Sequence, residues 1–437
     1  MKRLYEAGAY GPQGDCWWAE GAAPLEWPAI DGDTHCDVAV IGGGFTGLST
    51  ALHLAEGGAD VLVVEAGHPG YGASGRNGGF CCLGGAKAPD ALLKRRFGEA
   101  GLAEWQATEK AAIATAEGLI ETHGMEVQRH SRGETQLAHN AKAWRGMQGG
   151  IGDVERAYGV TPELTAPDAL RQAGLGGPWH GAMTIPLGFA LNPRAYHAGL
   201  GRAAAGAGAR LASDSPVTGL GPDGARWRLT TPRGTVSADQ VVIATNGYSS
   251  EDLPDWLRAR TLPVLSSVIV TRPLTQAEQA AQGWTSGQMS FDTRQLLHYF
   301  RLMPDGRFLF GMRGGLRATA SADRAIAKRI RRNFHALFPA WKDVEITHSW
   351  SGLVCLLAGL TPFAGAVPGH PGLFAAMGYH GNGVAMATHA GRLLADHMTR
   401  GGEIPAAMRT PPARFPLGRH RRVLLRPAYV GAELFDL

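Results

Sequence analysis

The chain has 437 residues, of which 44% are hydrophobic and 18% charged, and its formal net charge is +4. This composition excludes a disordered or fibrous chain, and the small net charge gives no reason to expect a nucleic-acid partner. No stretch approaches about 18 uninterrupted apolar residues, so we expect no stable membrane insertion. The start has no apolar signal segment, which predicts a cytoplasmic protein, and the length suggests two or three domains.

The five cysteines give no metal or disulfide pattern. They are Cys16, Cys36, Cys81, Cys82 and Cys355, an odd number without CxxC or metal-ligand spacing. We expect reduced thiols and no metal site. The vicinal pair Cys81 and Cys82 either forms a strained disulfide or, as we favour, contributes two small buried side chains.

An irregular N-terminal segment precedes the first regular elements. Residues 1–33 are rich in glycine, proline and tryptophan, which predicts an extended arm laid over the surface by Trp17, Trp18 and Trp27. Asp37 to Ile41 is a short β-branched run that is typical of a buried parallel strand. Leu48 to Glu56 has the character of a helix.

A glycine-rich turn joins this strand to this helix. Gly42, Gly44 and Gly47 form a GxGxxG pattern, and a second strand over Val61 to Glu65 completes a βαβ unit. The first glycine permits the tight turn, the second lets a diphosphate approach the backbone, and the third lets helix and strand pack closely. Glu65 would accept hydrogen bonds from the ribose hydroxyls and repel a 2′-phosphate, which favours FAD or NAD over NADP.

The remaining elements follow in chain order. Helical patterns cover Pro89 to Thr122 and Pro193 to Gly208, and a buried-strand pattern covers Val236 to Thr245. Further strands, which suggest an antiparallel sheet, are predicted at Pro263 to Thr271, His298 to Met303 and Phe308 to Met312. A last strand over Leu373 to Gly378 leads through a glycine turn into a helix over Val384 to Arg400.

Three motifs together resemble one family of flavoenzymes. Tyr71 to Phe80 reads YGASGRNGGF, Val242 to Tyr248 reads VIATNGY, and Gly378 to Val384 reads GYHGNGV. With the N-terminal GxGxxG, these segments resemble the D-amino-acid-oxidase-like superfamily of FAD enzymes. The branch that they resemble most is that of γ-glutamylputrescine oxidoreductase-like amine oxidases.

The resemblance implies an α/β fold, α+β overall, in which a Rossmann-like FAD-binding domain joins a second, mainly antiparallel β-sheet substrate domain. The FAD-binding domain is expected to be discontinuous, over 34–88, 185–255 and 345–400. The substrate-binding domain would take 89–184 and 256–344, between the arm over 1–33 and a basic tail over 401–437 that packs on the FAD domain. The tail's cluster of Arg414, Arg419, Arg421, Arg422 and Arg426 either contacts anionic partners or, as we favour, forms a solvated helix face.

The residues expected to bind FAD belong to these motifs or to the strands beside them. They are Gly42, Gly44, Phe45, Thr46, Gly47, Glu65, Ala73, Ser74, Arg76, Asn77, Gly78, Gly79, Val217, Thr245, Asn246, Gly352, Gly378, His380, Gly381, Asn382, Gly383 and Val384. In the last motif, free backbone amides at the start of the Val384 helix would lie near flavin N1 and O2, where they stabilise the anionic reduced flavin. Cys355 is either a covalent flavin attachment point or, as we favour, a buried thiol.

The resemblance implies oxidation of a small amine or amino acid by hydride transfer to flavin N5, which gives an imine that water hydrolyses. The catalytic candidates are His380, Tyr299, Arg301, His298 and Lys87. Lys87 either lies near the flavin, where the resemblance implies that a lysine helps reoxidation by O2, or, as we favour, is exposed on the surface. Strand alternation puts His298 on one face and Tyr299 with Arg301 on the other. Arg301 either binds a substrate carboxylate or pairs with an acidic neighbour such as Asp292.

Several functional alternatives stay open at this point. A γ-glutamylputrescine-oxidase-like activity is favoured, and oxidation of sarcosine, other N-methyl amino acids or D-amino acids is the first alternative. The second is a non-catalytic flavoprotein subunit of a larger dehydrogenase. The electron acceptor is O2 or another acceptor, and we expect a monomer or a homodimer.

Overall fold

A computed structural model describes residues 1–11, 14–20 and 25–436 of the chain. Residues 12, 13 and 21–24 of the expected arm, and residue 437 of the expected tail, lie outside the described residues. Within these ranges, no helix is long and apolar enough to cross a membrane.

The strands of the described residues are β1 Gly14–Asp15, β2 Thr34–Ile41, β3 Val61–Val64, β4 Phe80–Cys81, β5 Glu134–Leu137, β6 Glu163–Thr165, β7 Ala182–Ile185, β8 Phe189–Ala190, β9 Arg210–Ala212, β10 Gly219–Asp223, β11 Arg226–Thr231, β12 Gly234–Ile243, β13 Thr261–Thr271, β14 Met289–Asp292, β15 His298–Leu302, β16 Phe308–Arg313, β17 Ile346–Leu357, β18 Phe363–Ala366 and β19 Leu373–Met377. The helices are α1 Phe45–Glu56, α2 Asp90–Thr122, α3 Ala141–Gly149, α4 Ile151–Tyr158, α5 Pro193–Gly206, α6 Gln276–Gln282, α7 Ala320–Leu337, α8 Gly383–Arg400, α9 Ala406–Arg409 and α10 Leu425–Phe435. Short 3-10 turns connect several of them.

The first sheet is built around parallel strands that are buried on both faces. Its order is β10-β11-β12-β2-β3-β9, with β19 beside β12 and β18 beside β19. The β12-β2, β2-β3, β3-β9 and β12-β19 pairs are parallel. The apolar side chains of α1, α5 and α8 pack with this sheet in one core. The continuous apolar runs at β2 and β3 therefore form the predicted βαβ unit.

The second sheet is mainly antiparallel and has nine strands, in the order β1-β17-β13-β16-β15-β14-β5-β7-β6. The β14-β5 pair is its parallel exception. Aromatic side chains of β15 and β16 pack against α7, and Phe300, Phe308 and Phe334 are fully buried there. The α/β class with a Rossmann-like sheet and a second, mainly antiparallel sheet is confirmed.

Two elements lie elsewhere than the expected domain ranges place them. β17, expected within the FAD-binding domain, lies in the nine-stranded sheet because it pairs with β13 along almost its whole length. α2, expected within the substrate domain, packs on α8 because Leu93, Trp105 and Ala112 on its apolar face join the core of the first sheet. The domain boundaries otherwise stay a prediction.

The N-terminal arm is buried more deeply than an arm laid over the surface would be. Trp18 is 2% exposed, and its indole donates a hydrogen bond to the Asn77 carbonyl at 2.9 Å. Trp27 lies against the backbone of Gly43 and stacks on His197. The arm thus packs against the motifs that were expected to hold the cofactor.

The basic tail is not a uniformly solvated face. Arg421 is fully buried, where it pairs with Glu251 and donates to the Thr261 carbonyl at 2.6 Å. Arg422 forms an ion pair with Glu6 at 2.7 Å, which ties the tail to the N-terminus. Because a buried guanidinium needs its hydrogen bonds, these contacts hold this part of the tail against Glu251 and the start of β13.

The buried Arg421 pair predicts a large stability effect. We expect Arg421→Met to lower the free energy of unfolding by about 3 kcal/mol, because the mutation leaves Glu251 without its buried partner. Urea unfolding at a fixed FAD concentration measures this change. Arg419→Met is the control, since Arg419 is exposed and its loss should have little effect. Equal stability of the two variants would contradict the proposed contribution of the pair.

Candidate functional site

A cavity of about 1030 Å³ lies between the two sheets. The loop after β2 lines it from the first sheet, and Tyr299 and Arg313 line it from the second. The start of α8 and the 71–87 segment complete its wall. One continuous space therefore joins the dinucleotide motif to the predicted substrate domain.

The turn between β2 and α1 is closely packed and leaves no room for side chains. Gly42 has a φ of +106°, and a Cβ there would lie 3.0 Å from the Ala244 carbonyl oxygen. A Cβ on Gly44 would lie 2.9 Å from Ser74 Oγ, and one on Gly47 only 1.9 Å from the Gly42 carbonyl oxygen. The backbone itself thus forms the cavity wall at Gly42 and Gly44, as a bound diphosphate requires.

Glu65 fixes the conformation of this turn. Its Oε2 accepts a hydrogen bond from the Gly43 amide at 2.8 Å, and its Oε1 accepts one from the Gly67 amide at 3.1 Å. Burial raises the pKa of the Glu65 carboxyl, whereas these two amide hydrogen bonds oppose that rise. The carboxylate lines the cavity at the end of β3, which is the place expected of a ribose-binding group.

His197 also holds this turn, although no sequence motif pointed to it. Its Nε2 lies 2.6 Å from the Gly43 carbonyl oxygen, which only accepts, so this nitrogen carries the proton. Burial lowers the pKa of His197 to about 4, so the ring is neutral at pH 7. The residue lies on α5, which only tertiary packing brings to the turn.

The ASGRNGG segment is held by its own polar side chains. Ser74 Oγ accepts a hydrogen bond from the Phe45 amide at 2.9 Å, which joins the segment to the start of α1. Asn77 donates to the Ala73 and Ser74 carbonyls, both at 3.1 Å, and accepts from the Gly79 amide at 2.8 Å. These bonds account for a serine and an asparagine at these positions in the motif.

The GYHGNGV motif meets the 82–85 segment at the start of α8. Asn382 Nδ2 donates to the Leu83 carbonyl at 2.5 Å, and Tyr379 Oη lies 2.7 Å from Thr46 Oγ1 of α1. Gly381 has a φ of +112°, and a Cβ there would lie 2.4 Å from the Arg313 guanidinium. The first turn of α8 therefore presents its backbone amides to the cavity, because no side chain of Gly381 or Gly383 intervenes.

His380 cannot serve as a general base in this arrangement. Its Nδ1 lies 2.9 Å from the Gly85 carbonyl oxygen, and its Nε2 accepts from the Leu357 amide at 3.2 Å. Burial lowers its pKa to about 4. Both nitrogens are occupied by backbone groups, so the neutral ring braces the cavity wall rather than exchanging protons.

Most residues expected to bind FAD line the cavity. They are Gly42, Gly44, Phe45, Thr46, Glu65, Ala73, Ser74, Arg76, Asn77, Gly78, Val217, Thr245, Asn246, Gly352, His380, Gly381, Asn382, Gly383 and Val384. Gly47, Gly79 and Gly378 do not line it and serve close packing instead. A Cβ on Gly79 would lie 2.0 Å from the Leu191 carbonyl oxygen, and one on Gly378 would lie 2.3 Å from the Leu357 side chain. Their direct contact with FAD stays a prediction that this placement does not favour.

The three candidates on β15 are separated by the strand. Tyr299 lines the cavity, with its Oη 3.2 Å from Ser266 Oγ. His298 faces the other side, where its Nδ1 lies 2.7 Å from Asp292 Oδ2 and its ring stacks on Phe310. Strand alternation thus removes His298 from the cavity.

Arg301 is buried below the cavity and neither binds Asp292 nor reaches a substrate. Its guanidinium donates to the Leu191 carbonyl at 2.7 Å and lies 3.1 Å from His130 Nε2. Burial lowers the pKa of Arg301 to about 9. The guanidinium lies next to the ASGRNGG segment, since a Cβ added to Gly79 would lie 2.6 Å from Arg301 Nη2. A carboxylate-binding role for Arg301 is therefore not supported.

Two other cations do reach the cavity. Lys87 lines it at an exposed position, as the surface alternative expected, and partial desolvation, followed by the charge of Arg313, lowers the pKa of Lys87. Arg313 at the end of β16 donates to the His380 carbonyl at 2.6 Å and forms no ion pair within the described residues. Arg313 was missed in the sequence because it lies one residue beyond the predicted strand of 308–312.

The cysteines are all free thiols in the described residues. Cys81 and Cys82 are buried, as we favoured over a disulfide. Cys355 lines the cavity, and burial raises the pKa of its thiol to about 12. A protonated, buried thiol agrees with the interpretation of Cys355 as a core residue.

The donor set of the cavity fits FAD. A glycine-walled turn and the first turn of α1 suit a diphosphate, Glu65 suits a ribose, and the first turn of α8 suits an electron-rich ring edge. A cavity continuous from this turn to the second sheet accommodates a long dinucleotide and leaves its far end beside Tyr299.

The comparison with known proteins agrees with this geometry. The family described as "DAO: FAD dependent oxidoreductase" matches residues 37–397. "Probable oxidoreductase OrdL" of Rhizobium meliloti (strain 1021) is 32% identical over 387 residues, which cover 87% of each chain. "Gamma-glutamylputrescine oxidoreductase" of Escherichia coli (strain K12) is 30% identical over 406 residues, which cover 89% of each.

Solved structures support the same fold. Glycine oxidase from Geobacillus kaustophilus superposes with a TM-score of 0.68 at 23% identity, covering 89% of this chain and 99% of that one. The chain belongs to the DAO family of FAD-dependent oxidoreductases, and FAD is its cofactor. The family resemblance drawn from the motifs is confirmed.

The Gly44 contact predicts loss of the cofactor on substitution. We expect Gly44→Val to abolish FAD retention, because the new side chain would meet Ser74 and fill the space next to the turn. The ratio of flavin to protein absorbance after dialysis measures retention, and circular dichroism checks the fold. Gly146→Val is the control, since a Cβ at Gly146 has no neighbour within 4 Å. A fully yellow Gly44→Val protein would contradict the assigned site.

The neutral state of His380 predicts a pH-dependent stability. Its pKa of about 4 lies below the usual 6.5, so the unfolded chain binds one more proton between these values. The contribution of His380 to the free energy of unfolding is fully present above pH 6.5. As the pH drops from 6.5 toward 4, this contribution falls by about 1.4 kcal/mol per pH unit. Urea unfolding of His380→Gln should therefore show a shallower loss in this range. His123→Gln is the exposed control, and equal slopes in wild type and His380→Gln would refute the prediction.

Proposed function

We propose that this member of the DAO family of FAD-dependent oxidoreductases oxidises the C–N bond of a small primary or secondary amine or amino acid. The product is an imine, which water hydrolyses to an aldehyde or keto acid and an amine or ammonia. FAD, when bound, supplies the acceptor for the hydride that leaves the substrate α-carbon. A γ-glutamylputrescine-oxidase-like substrate is the favoured case.

The observation that carries the proposal is the single cavity shared by the dinucleotide turn and the second sheet. Tyr299 and Phe80 line it on the side of the second sheet, with their rings 5.6 Å apart in an edge-to-face arrangement. An aromatic wall excludes water and lowers the pKa of an amine bound against it. The amine is then available as the free base that hydride loss requires.

The polar groups of the cavity hold the substrate rather than removing a proton from it. His380 is excluded as a base by its two backbone partners. Within the part of the chain that the structure describes, Arg313 donates one hydrogen bond, to the His380 carbonyl, and its other N–H groups suit an anionic group of the substrate. Lys87, at an exposed position on the cavity wall, adds a second donor.

The relatives support the same class of substrate. The names gamma-glutamylputrescine oxidoreductase and glycine oxidase describe enzymes that act on an amine and on an amino acid. This chain covers most of the length of both, so the substrate-side elements are shared as well.

Anaerobic reduction of the bound flavin tests this function. We expect the visible band of oxidised flavin to bleach when the purified protein is mixed with its substrate from a panel of primary amines, secondary amines and amino acids. Admission of O2 with peroxide detection then identifies the electron acceptor. A tertiary-alkyl amine without an α-hydrogen is the control and should leave the band unchanged. A flavin that no member of the panel bleaches would instead support a non-catalytic flavoprotein.

A further inference from the structure

Two buried carboxyl groups line the same cavity and have no part in the function proposed above. Glu109 lies on α2 and is 8% exposed, and Glu134 lies on β5 and is 4% exposed. Neither was predicted from the sequence. Carboxyl groups are rarely so deeply buried unless they are paired or bind a ligand.

Both carboxyl groups have only neutral partners. Tyr158 Oη donates to Glu109 Oε2 at 2.8 Å, and the Leu83 amide donates to Glu134 Oε2 at 3.0 Å. The neutral side chain of Gln136 lies beside Glu134. Among the described residues, neither glutamate forms an ion pair. The negative charge that either would carry is therefore uncompensated by the protein.

Burial makes these carboxyl groups reluctant to ionise. It raises the pKa of Glu109 to about 7 and that of Glu134 to about 8, and the charge of Glu109 adds to the rise at Glu134. Ionising either group without a counter-charge costs free energy in a buried site. A cation entering the cavity would remove this penalty, because it would stabilise both ionised forms.

The cations of the protein do not fill this role. Four cationic side chains line the same cavity, namely Arg3, Arg76, Lys87 and Arg313, yet within the described residues none is paired with Glu109 or Glu134. Arg313 is held instead by the His380 carbonyl. Within the described residues, neither glutamate therefore has a cationic partner from the protein, and a ligand can supply that positive charge.

We propose that Glu109 and Glu134 form a subsite for a second cationic group of the substrate, an ammonium distinct from the amine that is oxidised. This inference rests on the proposed function. The two amines must differ because carboxylates stabilise an ammonium ion, whereas hydride loss requires the free base. The substrate class is thus an amine that carries an additional positive charge.

The position of the subsite suits one molecule that spans both places. Leu83 donates through its amide to Glu134 and accepts through its carbonyl from Asn382, at the start of α8. Leu83 thus connects Glu134 to the GYHGNGV motif. A linear substrate can place one amine at the flavin while its other end stays at Glu134.

The test compares a linear α,ω-diamine with the monoamine of the same chain length, using the FAD-loaded protein. Perturbation of the flavin spectrum under anaerobic conditions gives the two dissociation constants, and the later bleaching gives the two reduction rates. We expect the diamine to bind more tightly by on the order of 10-fold or more, as a charge-assisted hydrogen bond in a buried site provides.

The variants Glu134→Gln and Glu109→Gln keep shape and remove charge. Each should abolish the preference for the diamine while monoamine binding stays unchanged. Glu163→Gln, at an exposed position on β6, is the matched control and should keep the preference. A merely structural role would weaken binding of both amines equally.

Equal dissociation constants for the two amines in the wild-type protein would overturn the inference without any variant. Equal weakening of both amines in Glu134→Gln would overturn it as well. The reduction rates report separately on the proposed function, since a flavin that binds the diamine but is bleached by no amine would refute amine oxidation and leave the cation subsite standing.

Discussion

Close approach of backbone to backbone at the turn after β2 is the constraint on which the site depends. Gly47 lies so near the Gly42 carbonyl that no side chain fits between them. Three side chains form hydrogen bonds to this turn. Glu65 accepts from the Gly43 amide, His197 donates to the Gly43 carbonyl, and Ser74 accepts from the first amide of α1. A wall made of main-chain atoms results, and a phosphate can reach it because no side chain lies in between.

The second sheet supplies the other wall of the cavity that begins at the glycine-rich turn. Burial there changes the charge state of the groups that line it, making His380 neutral and the carboxyls of Glu109 and Glu134 hard to ionise. The chemistry of the cavity consequently depends on desolvation as much as on the identity of its side chains.

Several polar side chains stabilise the surrounding fold rather than reach into the cavity. Arg301 lies beneath the GRNGG segment, and Arg421 ties the tail to Glu251 beside the strand β13. His298 is held by Asp292 on the far face of its strand. Each is buried with hydrogen-bond partners, as desolvated polar groups in a folded chain must be.

The sequence by itself determined the cofactor, because the glycines of the turn, Glu65 and the GYHGNGV motif act through local backbone geometry that adjacent residues encode. It also determined the core strands and helices, whose apolar runs and periods are local. Only the tertiary structure decided which side chains face the cavity. Arg313, His197, Glu109 and Glu134 come from four separate elements, and the contacts between distant elements that place them have no local sequence signal.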